Sequence, residues 1–285
     1  MKNQTKKPHS KEILPAGLFV GLAGIDLVYQ VDELPKEDNK TKTNKYEIRF
    51  GGPAFLAAKT YVSLGGKATL VSCVGHSVLG ELIHQECSQL GIILRDLTPH
   101  ASMPNISSVF LNPRNGTRTI CSGQNPSRLL RLPTLGDFGF CLYDGNMPTV
   151  NKSLLSALEE ECVPLILDCG SWKPGMEEIL EFATTAISSE TFRSPDGKDI
   201  FALGQEYGLF EMAMTRGKKH IIFMETGERK EIPVVAVEHA DTLGAGDVFH
   251  GAFCFYRYNE SLGLEDSLKK AAKVAHDFVS KRTIK

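Results

Sequence analysis

Tryptophan occurs once in the 285 residues, the seven cysteines contain no Cys-x-x-Cys pair, and no apolar run approaches the length of a membrane span. The cysteines at 73, 87, 121, 141, 162, 169 and 254 are odd in number and set in apolar runs, so they are expected as reduced, mostly packed thiols in a cytoplasmic protein. Excess charge is missing as well. A formal net charge of −2 leaves no basic footprint, which argues against nucleic acid or an anionic membrane as a partner and leaves small molecules. No Walker-type Gly-Lys-Ser/Thr loop and no nucleophile elbow are present, which argues against P-loop kinases and serine hydrolases. Residues 1–12 are polar and basic without an apolar core, and read as a flexible tail rather than a signal peptide.

What is present is an alternation of apolar runs and helical patterns. Strands are expected near Leu18–Gly24, Ala68–Val74, Phe140–Tyr143, Pro164–Leu167 and Thr184–Ser188. Helices are expected over Pro53–Leu64, Leu79–Leu90, Lys152–Glu161, Pro174–Phe182 and Leu264–Val279. This order predicts an α/β fold, a doubly wound and mostly parallel sheet with ligands at the carboxyl ends of the strands. Two stretches break the pattern. Residues 27–50 alternate like β strands around a polar turn at 35–40, and residues 104–123 read as a hairpin at Asn115-Gly116, a pair that favours a tight type I′ turn. Both are expected to form a small β lid inserted into one domain spanning 13–285. Gly51-Gly52 sit where the lid would hinge, or where a strand simply enters a helix.

The most informative string runs from His239 through Asp241-Thr242-Leu243-Gly244-Ala245-Gly246-Asp247 to His250-Gly251. Gly244, Ala245 and Gly246 leave no side chain to keep an oxyanion away, so backbone N–H groups and the dipole of a helix start can converge on a phosphate. Asp247 would stand in the first turn of that helix. Taken alone, a glycine-rich turn merely connects elements, and a first-turn Asp is ordinarily a dipole partner or a cap.

The string resembles the Asp-Thr-x-Gly-Ala-Gly-Asp signature of the ribokinase-like (PfkB) carbohydrate kinases. Leu18 to Asp26 resembles that family's first strand ending in a sugar-binding Asp, and Gly51-Gly52-Pro53-Ala54 with Ala57-Ala58 resembles its double-glycine segment. Asn112 to Ile120 is similar to its Gly-Glu-Arg-Thr-Ile hairpin, so the likeness extends from Leu18 to Thr283. It implies a ribokinase-like fold and an ATP-dependent, Mg²⁺-requiring kinase acting on a hydroxyl, a primary one by preference, of a small ketose or sugar acid. Asp247 would be the base, with Gly244, Ala245 and Gly246 as the anion hole. Asp26, Gly51 and Gly52 would face the sugar. Asp144 and Arg118 are further candidates for that pocket, although Arg118 also reads as a solvated lid cation.

On the nucleotide side the resemblance points to Thr242, to Thr215 and Gly217 in the segment Thr215–His220, and to Lys173 beside the single Trp172. A helix start with Pro174 in its first turn accounts for the Lys173 segment equally well. The ligands of Mg²⁺ are not defined, and a monovalent cation is left open beside it. Where related kinases carry Asn-x-x-Glu, this chain places Ser189 and Phe192, leaving Glu190 as the nearest carboxylate. Leu56 stands where an Asn is common, Gly75-His76-Ser77 replaces a Gly-Asp-Asp-like turn, and the segment ending at His220 lacks a later glycine. His76, His84 and His100 are separated from any paired carboxylate or Cys spacing and His250 follows Asp247, so none suggests a zinc site. A homodimer through the lid sheet is left open. A nucleoside kinase and a non-catalytic sugar- or nucleotide-binding homologue are the rival readings.

Overall fold

Nine strands form one sheet, its central members buried and rich in Leu, Ile, Val and Phe. From one edge its order is β13 (Glu228–Ile232), β12 (Lys219–Glu225), β11 (Glu211–Arg216), β10 (Thr185–Ser189), β9 (Leu165–Cys169), β8 (Phe138–Tyr143), β1 (Ala16–Val20), β4 (Ala68–Ser72) and β5 (Ile93–Asp96). Pairing is parallel from β5 to β11 and antiparallel only at β11–β12 and β12–β13. The computed structural model describes residues 16–43, 45–98, 103–114, 116–123, 137–238 and 240–282. The expected tail at 1–12, His100, Asn115 and His239 lie outside them.

Both faces of the parallel region are covered, which is why every residue of β4 and β9 is buried. On one side, Phe19, Leu70, Phe140 and Ile187 pack with helices α1 (Pro53–Ser63), α2 (Val78–Leu90), α6 (Ala245–Cys254) and α7 (Leu264–Ser280). On the other, Leu18, Val71, Leu167 and Ala186 pack with α3 (Asn151–Glu160), α4 (Met176–Leu180) and α5 (Ile200–Tyr207). The outer strand β13 carries exposed Glu228, Arg229, Lys230 and Glu231, a charged edge that discourages further strand addition.

A second sheet has the order β3 (Tyr46–Gly51), β2 (Gly24–Gln30), β6 (Asn105–Leu111) and β7 (Arg118–Ser122). Its β2–β6 pairing is parallel and its outer pairings are antiparallel. The register puts Asp26, Val28, Arg49, Ser107 and Val109 on one face and Leu27, Tyr29, Ile48 and Phe110 on the other.

Three local expectations are corrected. The run Leu18–Gly24 is not one strand: β1 stops at Val20, and Asp26 belongs to β2 of the small sheet. Gly21 turns the chain at φ 145°, with the Asp144 carboxylate beside it where a Cβ would lie 2.0 Å from an oxygen. The hairpin expected over 104–123 joins β6 to β7, and its turn at Asn115-Gly116 lies partly outside the described residues. Asn112 N–H donates to Thr117 O at 2.9 Å, and the Asn112 side chain accepts from the Arg114 N–H at 2.8 Å. Helix α4 starts at Met176 behind an N-cap Gly175 at φ 80°, so Pro174 lies outside its first turn. Contrary to their spacing in sequence, His76, His84 and Asp96 are brought side by side by the turn after β4, by α2 and by β5.

Helices α1 and α6 approach closely because Gly251 has no side chain: a Cβ there would lie 2.2 Å from Ala57 O. That atom is backbone and cannot swing aside, so Gly251→Ala is expected to cost about 1–3 kcal/mol through overpacking. Denaturant unfolding would measure it, and an unchanged midpoint would show slack between the helices.

Candidate active site

The turn before α6 takes its shape from two glycines with different duties. Gly244 is the N-cap at φ 83°, a conformation that L side chains avoid, and a Cβ there would press on Leu56 at 3.0 Å. At Gly246 nothing lies within 4 Å of a built Cβ, so the backbone is open to a ligand. The first N–H groups of a helix have no intrahelical acceptor. Ala245 N–H is nevertheless occupied, donating to Thr242 O at 3.1 Å, so the expected trio Gly244–Gly246 does not act as three equal donors. By helix geometry the N–H of Asp247 joins that of Gly246 at the open end.

Asp247 is half-buried in the first turn of α6. Loss of water and then the nearby carboxylates of Asp168, Asp144 and Asp26 push its pKa well above the usual carboxylate range, against the pull of Arg118. Asp168 and His250 were not expected at the site. The Asp168 carboxylate lies 3.6 Å from His250 Nδ1, which is also 2.8 Å from Gly246 O, while His250 Nε2 is 3.4 Å from Ile187 O. His250 is thus packed behind the turn. A carboxylate near the carboxyl end of a parallel strand was the available signal for Asp168.

Asp26 stands half-buried on the inner face of the small sheet, its pKa raised by burial against a hydrogen bond from Ser107 and the charge of Arg49. Gly51 gives it room, since a Cβ there would lie 2.3 Å from Asp26 Oδ2. Gly52, at φ 99°, passes 2.3 Å from Leu22 O by the same measure and is the N-cap of α1. Asp144 has another occupation. It is 1 % exposed and accepts from the N–H groups of Leu22 at 2.8 Å, Ala54 at 3.3 Å and Asn146 at 2.9 Å. Its carboxylate serves as the cap that Gly52 cannot supply to α1.

The small sheet grips the turn from two strands. Arg49 Nη1 donates to Asp241 Oδ2 at 2.6 Å, and Arg118 Nη1 donates to Thr242 Oγ1 at 3.0 Å. Arg282, just past α7, pairs with the same Asp241 oxygen and donates to Leu243 O at 2.6 Å, while Leu243 N–H donates to Asp241 Oδ1 at 2.9 Å. Sequence reasoning missed this network, whose members are 192 and 41 residues apart.

Two cavities flank the turn. One of about 200 Å³ is lined by Thr215, Gly217, Thr242, Ala245 and Gly246, with Phe249 and Val279 in its wall. The other, about 880 Å³, is lined by Asp26, Arg49, Leu56, Leu243, Val248 and Phe278. The structure therefore unites Thr215, Gly217 and Thr242 but leaves Lys173 and Glu190 off both linings. Lys173 Nζ donates to Ser171 O at 3.1 Å and its charge acts on Asp144. Exposed Lys219 pairs with Glu190 at 2.7 Å, and Phe192 is buried against Trp172 with ring centroids 6.0 Å apart.

An α/β sheet with a strapped, open helix start beside a carboxylate defines a phosphotransferase of ribokinase-like architecture. A family model described as pfkB family carbohydrate kinase matches residues 18–283, and the chain belongs to that family of ATP-dependent kinases. The ribokinase of Lactococcus lactis is 21 % identical over 274 residues, covering 92 % of this chain and 90 % of its own. The Arabidopsis thaliana ribokinase structure, complexed with ribose and ATP, has a TM-score of 0.76 at 21 % identity and covers 95 % of each chain. The adenosine kinase of Schistosoma mansoni, in complex with 2-fluoroadenosine, reaches a TM-score of 0.74 at 15 % identity over 95 % of this chain and 97 % of that one.

The crowding around Asp247 has a stability consequence with a definite sign. A carboxyl whose folded pKa is raised loses stability as pH climbs from the ordinary value of 3.8 through the folded one, and the penalty then persists. Asp247→Asn is therefore expected to melt higher than the parent at pH 7–8 and to lose that advantage in acid. Equal melting temperatures at neutral pH would contradict the electrostatic account.

Proposed function

We propose that this chain transfers the γ-phosphoryl group of ATP to a hydroxyl, a primary one, of a small carbohydrate of the ketose or sugar-acid kind. The observation that carries the reading is the position of Asp247 on an open helix start, between Gly246 in the lining of one cavity and Val248 in that of the other. The smaller cavity, apolar along Ile221, Phe249 and Val279, suits a nucleotide base. At about 200 Å³ it falls below the roughly 300–1,000 Å³ of pockets that enclose whole ligands. The phosphates would therefore extend out along Gly246, where no side chain obstructs them. On the other side, Asp26 offers paired acceptor oxygens to neighbouring hydroxyls.

Asp247 orients the acceptor hydroxyl and takes its proton late in transfer, so position matters more than basicity. The charge of Arg118 opposes the rise in that carboxylate's pKa and so favours its ionised form, and the N–H groups at the start of α6 offset charge on the moving phosphoryl oxygens. Mg²⁺ brought with ATP would neutralise phosphate oxygens; the mutually repelling carboxylates of Asp168 and Asp247 fit such a cation, which keeps much of its water. A monovalent cation fits less well at Asp241, whose oxygens are engaged by Arg49, Arg282 and Leu243 N–H. The small sheet acts as a lid that excludes water, hinged at Gly51-Gly52.

Supporting a cytoplasmic setting, all seven cysteines are unpaired; among the described residues no helix is long and apolar enough to cross a membrane. A homodimer through the lid is supported by its outer face, where Tyr46 is 72 % and Ile48 62 % exposed beside the stacked Tyr29 and Phe110. Apolar Leu56, Leu243, Val248 and Phe278 in the larger cavity favour a second reading, a nucleoside acceptor whose base would cover them.

Acceptor-dependent ADP release from Mg·ATP, across ketoses, aldoses, sugar acids and nucleosides, decides between these readings. Asp247→Asn should lower kcat about 10²–10⁴-fold with little change in KM for ATP. Turnover that survives the substitution would remove Asp247 from the base role, and ligand-induced stabilisation with no turnover on any acceptor would leave a binding protein. The pH–rate profile gives a separate check. The ionised form is active, so activity falls as pH drops through the raised pKa of Asp247, and Arg118→Leu should move that acid limb to higher pH. A limb that stays put would show that Arg118 does not act on the base.

A further inference from the structure

At the β4–β5 edge of the large sheet, outside both cavities, three ligand-type side chains converge from three consecutive elements. His76 precedes α2, His84 lies in its second turn, and Asp96 ends β5; their donor atoms lie within 4.8 Å of one another. His84 Nε2 is buried and has no hydrogen-bond partner, although Asp96 Oδ2 is 3.4 Å away. A buried ring nitrogen left without a bond is uncommon, because losing water without compensation is costly.

The surroundings orient the other two groups. Asp96 Oδ1 accepts from Val74 N–H at 3.0 Å and from the N–H and hydroxyl of Thr98, both at 2.9 Å. Its Oδ2 accepts one bond, from Gly75 N–H at 2.8 Å, and keeps lone-pair capacity toward His84. Glu81 Oε1 lies 2.6 Å from His76 Nδ1, so Nδ1–H donates to it and Nε2 is presented as an acceptor. A carboxylate behind an imidazole is the arrangement that fixes the tautomer of a metal-ligating histidine. The two rings are stacked with centroids 4.7 Å apart, and His76, 45 % exposed, is free to adjust toward a shared centre.

We propose that His76, His84 and Asp96 form a site for a borderline divalent cation such as Zn²⁺, with Glu81 orienting His76 and a water completing the shell. Two imidazoles and one carboxylate match the ligand preferences of that ion. The site ties the turn after β4 to α2 and β5, and it is independent of the transfer reaction.

The test is a Zn²⁺ titration of chelator-stripped full-length protein, followed by calorimetry and by melting temperature. Binding of one equivalent, with a rise in melting temperature reversed by chelator, is expected. His84→Gln should abolish the shift. Glu81→Gln, which keeps every ligand, should weaken binding about 10–100-fold. Co²⁺ substitution should show no thiolate charge-transfer band, which distinguishes this site from capture by exposed Cys121 or Cys162. No binding, a thiolate band, or a shift unchanged in both His84→Gln and His76→Gln would overturn the proposal; the second variant is exposed and should fold normally.

Discussion

The carboxylate of Asp241 is pulled from three sides: by Arg49 on β3, by Arg282 past the end of α7, and by the Leu243 N–H of its own turn. It is 3 % exposed, so these bonds hold a charge that water no longer reaches. Removing one partner of such a buried group typically costs roughly 3–5 kcal/mol, whereas an exposed pair such as Lys198–Glu206 is screened by water and contributes little. The magnitudes identify which ion pair organises the cleft. Through it the small sheet, the turn before α6 and the last helix are set relative to one another, with Gly246 in the lining of the smaller cavity and Leu243 and Val248 in that of the larger.

Carboxylates crowd this cleft, yet they are not equivalent. Asp144 is consumed by three backbone N–H groups and maintains the bend at Gly21 and the start of α1. Asp168 lies beside His250 behind the turn, and Asp26 belongs to the covering sheet. Asp247 alone combines the open helix start with repulsion from the other three. A fold optimised for stability would not gather these charges; their concentration at one helix end is the local conflict expected where chemistry takes precedence.

Much of this was legible in the sequence because it was local. The βαβ alternation, the glycines at 244 and 246 and the double glycine at 51–52 all act through backbone geometry within a few residues. The break at Gly21 was not legible, since its cause is a carboxylate 123 positions away whose role appears only when β1 and β8 pair. Strand β13 escaped the apolar pattern because Glu228, Arg229, Lys230 and Glu231 occupy the exposed sheet edge. His76, His84 and Asp96 looked isolated for a similar reason: their proximity depends on the register of β4 and β5.

The contact of Gly251 with Ala57 joins α1 and α6 main chain to main chain. In the proposed reaction one helix would begin at the acceptor side of the cleft and the other at the phosphate side, so the spacing between those two ends is written in backbone rather than in rotamers. Side chains lining the acceptor wall, Leu56 among them, can then be exchanged over evolutionary time without altering the distance over which a phosphoryl group must move. Substitutions on that wall would change which acceptor fits while leaving the helix spacing as it is.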